Sequence, residues 1–381
     1  MQKTLKDQPL YIQIYQALKQ RIEGGEWSFG AMLPSEHELA ELYGISRGTL
    51  RQVLAKLEEE GLVSRERGRG TFMALPGVRN SAIGLSNHSI SFIVPYVRDS
   101  YVSSILLGLE SIARANGYAV IFQHVENDID KQELALRKAI QQGVSGIVLY
   151  PVNSDFASPI FSELIQKRYP LVLVDRYIRG LYTDYVISDN FGGGICATQY
   201  LLSMGHRRIV FLSWEETAIT MEHRRLGYRQ AFMEAGIEPD PDLEWEVIGY
   251  PEIDIAALSV HLVQIERPAA VFAANDQLAL AVQRAARSLS LSIPGDLALV
   301  GFDNLDISAH LDIPLTTISQ PAFDIGSTAG ELILCKINKE LGCTQRRILP
   351  VQLIVRSSCG ANPTEEQDYR KNRKEVIGHQ N

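Results

Sequence analysis

From Ile90 onward, short apolar runs alternate with longer stretches of helical periodicity, and this alternation dominates what the chain can become. The expected strands are Ile90–Val94, Ala119–Gln123, Gly146–Leu149, Leu171–Val174, Ile209–Leu212, Ala270–Ala273 and Leu297–Gly301. Helices are expected near 102–116, 130–142, 155–168, 191–204, 222–235, 254–265 and 276–288. Strands joined through helices pair in parallel and have both faces covered, so the segment reads as an α/β fold. About 270 residues exceed what one hydrophobic core usually organises, which predicts two lobes.

Residues 1–76 follow a different pattern. Ile14, Leu18 and Ile22 share one face of an amphipathic helix that Gly24-Gly25 ends. Ser35 with Glu38 three positions on forms a capping box for a second helix reaching Tyr43, and Gly44 supplies a turn. Ser46 caps a third helix running to about Glu60, in which Leu50, Val53, Leu54 and Leu57 make the buried stripe. Leu62-Val-Ser-Arg and Thr71-Phe-Met-Ala read as a hairpin around Glu66-Arg-Gly-Arg-Gly.

That order is a winged helix-turn-helix, and it points to double-stranded DNA. Arg47 and Arg51 lie one turn apart at the exposed start of the third helix, beside Ser46 and Thr49, where an arginine fork reaches a guanine edge in the major groove. Arg67, Gly68, Arg69 and Gly70 form a small cationic tip suited to a minor groove or phosphates. A solvated helix and an ordinary charged hairpin are the competing accounts. The formal net charge of −8 does not exclude DNA, because residues 1–76 carry equal numbers of Lys/Arg and Asp/Glu and the acidity lies downstream.

In the two-lobed segment, polar residues gather just beyond the strand ends, where α/β sheets place ligand clefts. Asp175 and Arg176 follow one strand, Asn275 and Asp276 a second, and Asp303 and Asn304 a third. Arg224 opens a helix after Thr220, and Gln320 closes Leu315-Thr-Thr-Ile-Ser-Gln. Tyr96, Tyr101 and Phe302 offer faces for stacking. Carboxylates, amides and an arginine fork among aromatics suit a neutral polyol such as a sugar. The simpler account is that acids and amides at strand ends cap the next helix, and Asp276 is read that way.

Other chemistries leave no trace. Cys196, Cys335, Cys343 and Cys359 form no CxxC pair or Cys/His cluster, so neither a metal site nor a cofactor is expected. Gly192-Gly-Gly lacks nucleotide-loop spacing, and no HExxH, G-x-S-x-G or Cys–His arrangement appears, so the chain is not expected to be an enzyme. No apolar run is long enough for a membrane helix and no leader is recognisable at Met1, which predicts a cytoplasmic protein.

Two resemblances sharpen this reading. Pro9-Leu-Tyr-x-Gln-Ile, Leu33-Pro-Ser-Glu-x-Glu-Leu, Ser46-Arg-Gly-Thr-Leu-Arg, Leu57-Glu-Glu-Glu-Gly-Leu and Gly68-Arg-Gly-Thr-Phe resemble the GntR family of winged-helix regulators over residues 9–73. The resemblance implies DNA contacts at Ser46, Arg47, Thr49 and Arg51 and at the wing, with His37 standing where several members carry an arginine. Val174-Asp-Arg, Ser188-Asp-Asn-Phe-Gly-Gly-Gly, Leu202-Ser-Met-Gly-His-Arg-Arg-Ile, Arg224-Arg-Leu-Gly-Tyr, Ala274-Asn-Asp-Gln-Leu-Ala, Val300-Gly-Phe-Asp-Asn and Leu315-Thr-Thr-Ile-Ser-Gln-Pro resemble the LacI/GalR effector domain, itself similar to periplasmic sugar-binding proteins. It implies that Asp175, Arg176, Arg224, Asn275 and Asp303 line the effector cleft and that Gln320 sits where the chain crosses between lobes.

The combination is similar to the arabinose-repressor subgroup. It implies a dimeric repressor that releases a palindromic operator when a sugar, arabinose first among candidates, enters the cleft. The expected organisation is a DNA-binding domain over 1–76, a linker over 77–89, an effector-binding and dimerisation domain over 90–358 and a polar tail over 359–381. A sugar sensor that does not act on DNA is the alternative function.

Overall fold

A computed structural model describes residues 9–24, 26–27, 31–60, 62–66, 70–73, 88–97, 99–152, 158–215, 218–248, 253–267, 269–340 and 344–360. The chain divides into two compact units, Met1–His88 and Ser89–Asn381. Arg67, Gly68 and Arg69, Cys343, and most of the expected linker and tail lie outside the described residues.

The first unit contains α1 (Leu10–Glu23), α2 (Glu36–Leu42), α3 (Arg47–Glu59) and the antiparallel pair β1 (Val63–Glu66) and β2 (Gly70–Met73). Both predicted caps form: Ser35 and Glu38 make the reciprocal capping box, and Ser46 Oγ accepts from the Thr49 amide. Gly44 adopts φ +61° in the turn, a conformation that favours glycine. Leu18, Leu39, Leu50, Val53, Leu54 and Leu57 are fully enclosed, joined by Val63 and Met73 from the hairpin.

The second unit holds two six-stranded sheets. The first has the order β13-β7-β6-β5-β3-β4, from β3 (Ser89–Val94), β4 (Ala119–His124), β5 (Gly146–Leu149), β6 (Leu171–Val174), β7 (Asp184–Ser188) and β13 (Arg346–Leu349). The second runs β14-β12-β11-β10-β8-β9, from β8 (Ile209–Trp214), β9 (Glu244–Val247), β10 (Ala269–Ala273), β11 (Leu297–Asp303), β12 (Thr316–Ser319) and β14 (Gln352–Ile354). All described pairings in these sheets are parallel except β12 with β14. Every residue of β3, β5, β6, β8 and β10 is buried, as parallel strands covered on both faces require.

Helices cover the sheets: α4 (Ser100–Ala115), α5 (Ile129–Gln141), α6 (Pro159–Gln166) and α11 (Ala322–Ile337) on the first, and α7 (Asn190–Ser203), α8 (Ile219–Glu234), α9 (Ile255–Gln264) and α10 (Asp276–Ser288) on the second. The chain crosses between lobes three times, after β7, after β12 and after β13.

Several elements were not anticipated. Strands β7, β9, β12, β13 and β14 are short and carry polar residues, so no apolar run announces them. Helix α11 was missed because glycine, alanine and serine interrupt its apolar pattern. Those small residues have a purpose: a Cβ on Gly326 would lie 2.0 Å from the Ile105 carbonyl oxygen, and one on Gly108 2.1 Å from that of Phe323, so α4 and α11 touch backbone to backbone. Gly326→Ala must push the helices apart. Overpacking of this kind costs ~1–3 kcal/mol, or roughly 2–12 °C of melting midpoint for a unit of this size, measurable by circular dichroism.

Candidate functional site

The first exposed turn of α3 presents Ser46 and Arg47, with Thr49 half-buried behind them. Ser46 and Thr49 hydroxyls lie 2.9 Å apart. Arg51 Nε donates to Glu36 Oε2 at 2.8 Å while most of its side chain stays exposed. Glu36 also pairs with Arg65 of β1, and the two guanidiniums hold the Glu36 carboxyl below the usual carboxylate range. Glu36 therefore engages the inner edge of Arg51, and the sequence alone did not suggest that brace. Gly70, at the start of β2, adopts φ +125°. His37 is exposed.

The second candidate site lies between the two lobes. Tyr96, Tyr101, Asp175, Arg176, Arg224, Asn275, Asp303 and Gln320 all line one cavity of about 40 Å³. That leaves room for a few waters between these side chains. Tyr96 follows β3, Asp175 and Arg176 follow β6, Asn275 follows β10 and Asp303 ends β11, which is where an open sheet places its ligand residues.

The cavity walls are heavily hydrogen-bonded. Tyr101 Oη donates to Asp175 Oδ1 at 2.8 Å. Arg176 bonds the Tyr150 hydroxyl at 3.0 Å and the Val152 carbonyl at 3.2 Å, with its guanidinium 4.8 Å from the Tyr150 ring centre. Arg224 donates to Asn190 Oδ1 at 2.8 Å and to the Ala274 carbonyl at 2.6 Å, and lies 3.5 Å from Asp303. Gln320, at the crossing after β12, donates to Asp303 Oδ1 at 2.7 Å. Asn275 caps α10 through the Leu278 amide while also lining the cavity.

Burial pushes the Asp303 carboxyl well above its ordinary range, against the opposing pull of Arg224. Burial raises Asp99 too, and it raises the Tyr101 hydroxyl, reinforced by Asp175. Asp175 and Asp303 are also held in left-handed backbone, with φ +65° and +113°. Strain of this kind in non-glycine residues concentrates at ligand-binding positions.

Three sequence expectations change. Phe302 is fully buried, and the Arg224 guanidinium sits 3.6 Å from its ring centre, so it offers no face to a ligand. Arg224 lies in the second turn of α8, which begins at Ile219 and includes Thr220. Asp276 does not cap α10; its side chain bonds elsewhere. Asp99, Tyr150, Thr220, Met221 and Gln277 also line the cavity and were not anticipated. Tyr150 directly follows β5, so the strand-end rule would have found it. Asp99 and Gln277 bond across the lobes at 3.3 Å, a pairing that no sequence spacing signals.

Among the described residues no group of His, Cys, Asp and Glu could hold a metal ion. Cys196, Cys335 and Cys359 are free thiols. No described helix is long and apolar enough to cross a membrane.

Comparison with known proteins adds to this picture. Residues 10–73 match the family described as bacterial regulatory proteins, gntR family, and residues 198–359 match the periplasmic binding protein-like domain. The arabinose metabolism transcriptional repressor of Geobacillus stearothermophilus is 27% identical over 94% of this chain and 98% of its own length. The HTH-type transcriptional repressor PurR of Aliivibrio salmonicida is 30% identical over 66% of this chain and 75% of its own length. A LacI family transcriptional regulator from Enterococcus faecium, solved with bound ribose, superposes with a TM-score of 0.62 at 26% identity, covering 71% of this chain and 98% of that one.

Proposed function

This chain belongs to the transcriptional repressors that join a GntR-type helix-turn-helix to a LacI-type, periplasmic-binding-protein-like effector domain, and on that premise we propose that it releases operator DNA when a neutral sugar enters the cleft between its lobes. L-Arabinose is the first candidate, because the arabinose repressor matches nearly the whole chain. As a homodimer the protein would present two heads to a palindromic operator.

The observation that carries the reading is the polarity of the cavity. Three carboxyls, Asp99, Asp175 and Asp303, face two guanidiniums, Arg176 and Arg224. Both arginines already have protein acceptors. A phosphorylated sugar would meet an excess of acid. A polyol instead donates its hydroxyls to the carboxylates and accepts from the arginines and amides. Closure then shifts the equilibrium between DNA-competent and DNA-incompetent forms by the difference in sugar affinity between them.

A thermal-shift series of pentoses, hexoses and their phosphate esters tests this. A neutral pentose or hexose is expected to raise the melting midpoint, and to release a fragment of the upstream promoter region in a gel-shift assay. The phosphate esters are expected to do neither. Stabilisation by a phosphate ester alone would overturn the neutral-sugar reading, and failure to retard any promoter fragment would favour a sensor that does not act on DNA.

A further inference from the structure

Asp276 is a buried carboxylate that the cleft leaves unused. It occupies the first position of α10, but Asn275 already supplies the cap. Its carboxylate reaches the C-terminal edge of the second sheet instead. Oδ1 accepts from Thr317 Oγ1 at 2.6 Å. Oδ2 accepts from the Leu305 amide at 2.9 Å and from Ser308 Oγ at 2.6 Å. The strand beside it makes room, since a Cβ on Gly301 would lie 2.3 Å from Asp276 Oδ1.

Two of these donors belong to the segment 303–308, which leaves β11 through two consecutive left-handed residues, Asp303 at φ +113° and Asn304 at φ +57°. Such a turn persists only where its surroundings over-determine it. The Asn304 amide donates to the same Thr317 hydroxyl at 3.3 Å, and Asn304 Oδ1 accepts from Arg356 at 2.7 Å. The segment then meets the opposite lobe. Leu305 is buried in the core formed by α4, α11 and the first sheet, and the Asp306 amide donates to Ser100 Oγ at the start of α4, at 3.1 Å. One short hook thus joins a cleft carboxylate to the contacts that hold the lobes together, and Asp276 anchors it.

We propose that Asp276 is a positioning residue for sugar-driven lobe closure, holding the 303–308 hook so that Asp303 meets the sugar while Leu305 and Asp306 seat against the other lobe. The role rests on the sugar reading of the cleft. Asp276 touches no sugar and acts through the hook.

Calorimetric titration of the full-length chain with L-arabinose and D-ribose tests it, comparing wild type, Asp276→Asn, Thr317→Val and the double variant well below their melting points. Asp276→Asn is expected to weaken binding of whichever sugar the wild type takes by about tenfold or more. The double variant is expected to lose less than the sum of the two single losses, because both act on one hook. If Asp276→Asn does not fold, Thr317→Val, which removes one donor of three, carries the comparison.

A pH series separates positioning from general damage. Burial raises the Asp276 carboxyl to about 6 against its three hydrogen bonds and the charge of Arg356. All three partners are donors, so protonation removes an acceptor, and wild-type affinity should fall as pH drops through about 6. Burial also raises Asp303 on β11 and Asp99 in the cleft, and Asp303 loses the repulsion of Asp276 in the variant, so the signature of position 276 is a fall through about 6 that wild type shows and Asp276→Asn lacks. Unchanged affinity, or pH curves that superimpose, would overturn the proposal.

If the wild type binds neither sugar, that result bears on the sugar reading alone, and hydrogen exchange on the ligand-free proteins decides the anchor. Asp276→Asn should then speed exchange both at residues 305–308 and at 100–102 in the opposite lobe. Exchange unchanged at both places overturns the anchor.

Discussion

Asp303→Asn is expected to raise the melting midpoint of the ligand-free protein while removing most of its response to sugar. The Asp303 carboxyl is held well above its ordinary range, first by burial and then by the neighbouring acids Asp276, Asp99 and Asp175, with Arg224 pulling the other way. A carboxyl raised in the fold binds its proton more tightly there than in the unfolded chain. Its contribution to stability is fully present below the unfolded value and is lost as pH rises through the folded one. Wherever it is ionised the group therefore strains the fold, and the neutral amide relieves it. Asparagine also tolerates positive φ better than most residues, which suits φ +113° at this position.

The ligand sees the opposite. Replacing a charged acceptor by a neutral one forfeits a charge-assisted hydrogen bond, ~1.5–3 kcal/mol, or roughly 10- to 150-fold in affinity. A melting curve and a sugar titration on the same sample read both effects, and operator release should then need proportionally more sugar. A lowered midpoint would show that attraction to Arg224, 3.5 Å away, outweighs the cost of burial.

That trade-off bears on what the sequence could and could not disclose. The eight expected cleft residues come from loops and helix starts far apart in the chain, yet they line one cavity, because each lies beyond a buried parallel strand or at a crossing between lobes. Strand ends are legible wherever the strand is a continuous apolar run, as in β6 and β10. Residues whose position depends on the meeting of the lobes, such as Asp99 and Gln277, have no local signature. Phe302 misled for a related reason: its place beside Asp303 suggested a ligand face, but whether a ring is free depends on what covers it, and Arg224 does. Asp276 shows the reverse error. Aspartate at a helix start is ordinarily a cap, and only the neighbouring Asn275 cap and the space beside Gly301 free its carboxylate for a distant segment.

In the first unit, Arg51→Ala is expected to cost operator affinity and base preference together. Glu36 accepts from Arg51 Nε, the inner edge of the guanidinium. The two terminal nitrogens remain a fork of the kind that reads the O6 and N7 edge of guanine. A side chain braced at Nε loses less conformational freedom when that fork engages, so the brace favours binding although Glu36 is itself acidic. Losing one bidentate base contact costs ~1–3 kcal/mol, about 5- to 150-fold. Binding to random-sequence DNA, which rests on phosphate contacts, should weaken much less.

Glu36→Ala provides the contrast. It removes a negative charge near the DNA, which alone would strengthen binding to any sequence, but it also frees both Arg51 and Arg65. If the brace matters, operator and random DNA converge in affinity. If Glu36 is only a surface ion pair, both affinities rise in parallel as the acid is lost. Gel shifts of wild type, Arg51→Ala and Glu36→Ala on operator and scrambled duplexes at two salt concentrations distinguish the outcomes, and equal losses of Arg51→Ala on both duplexes would place Arg51 on the phosphate backbone.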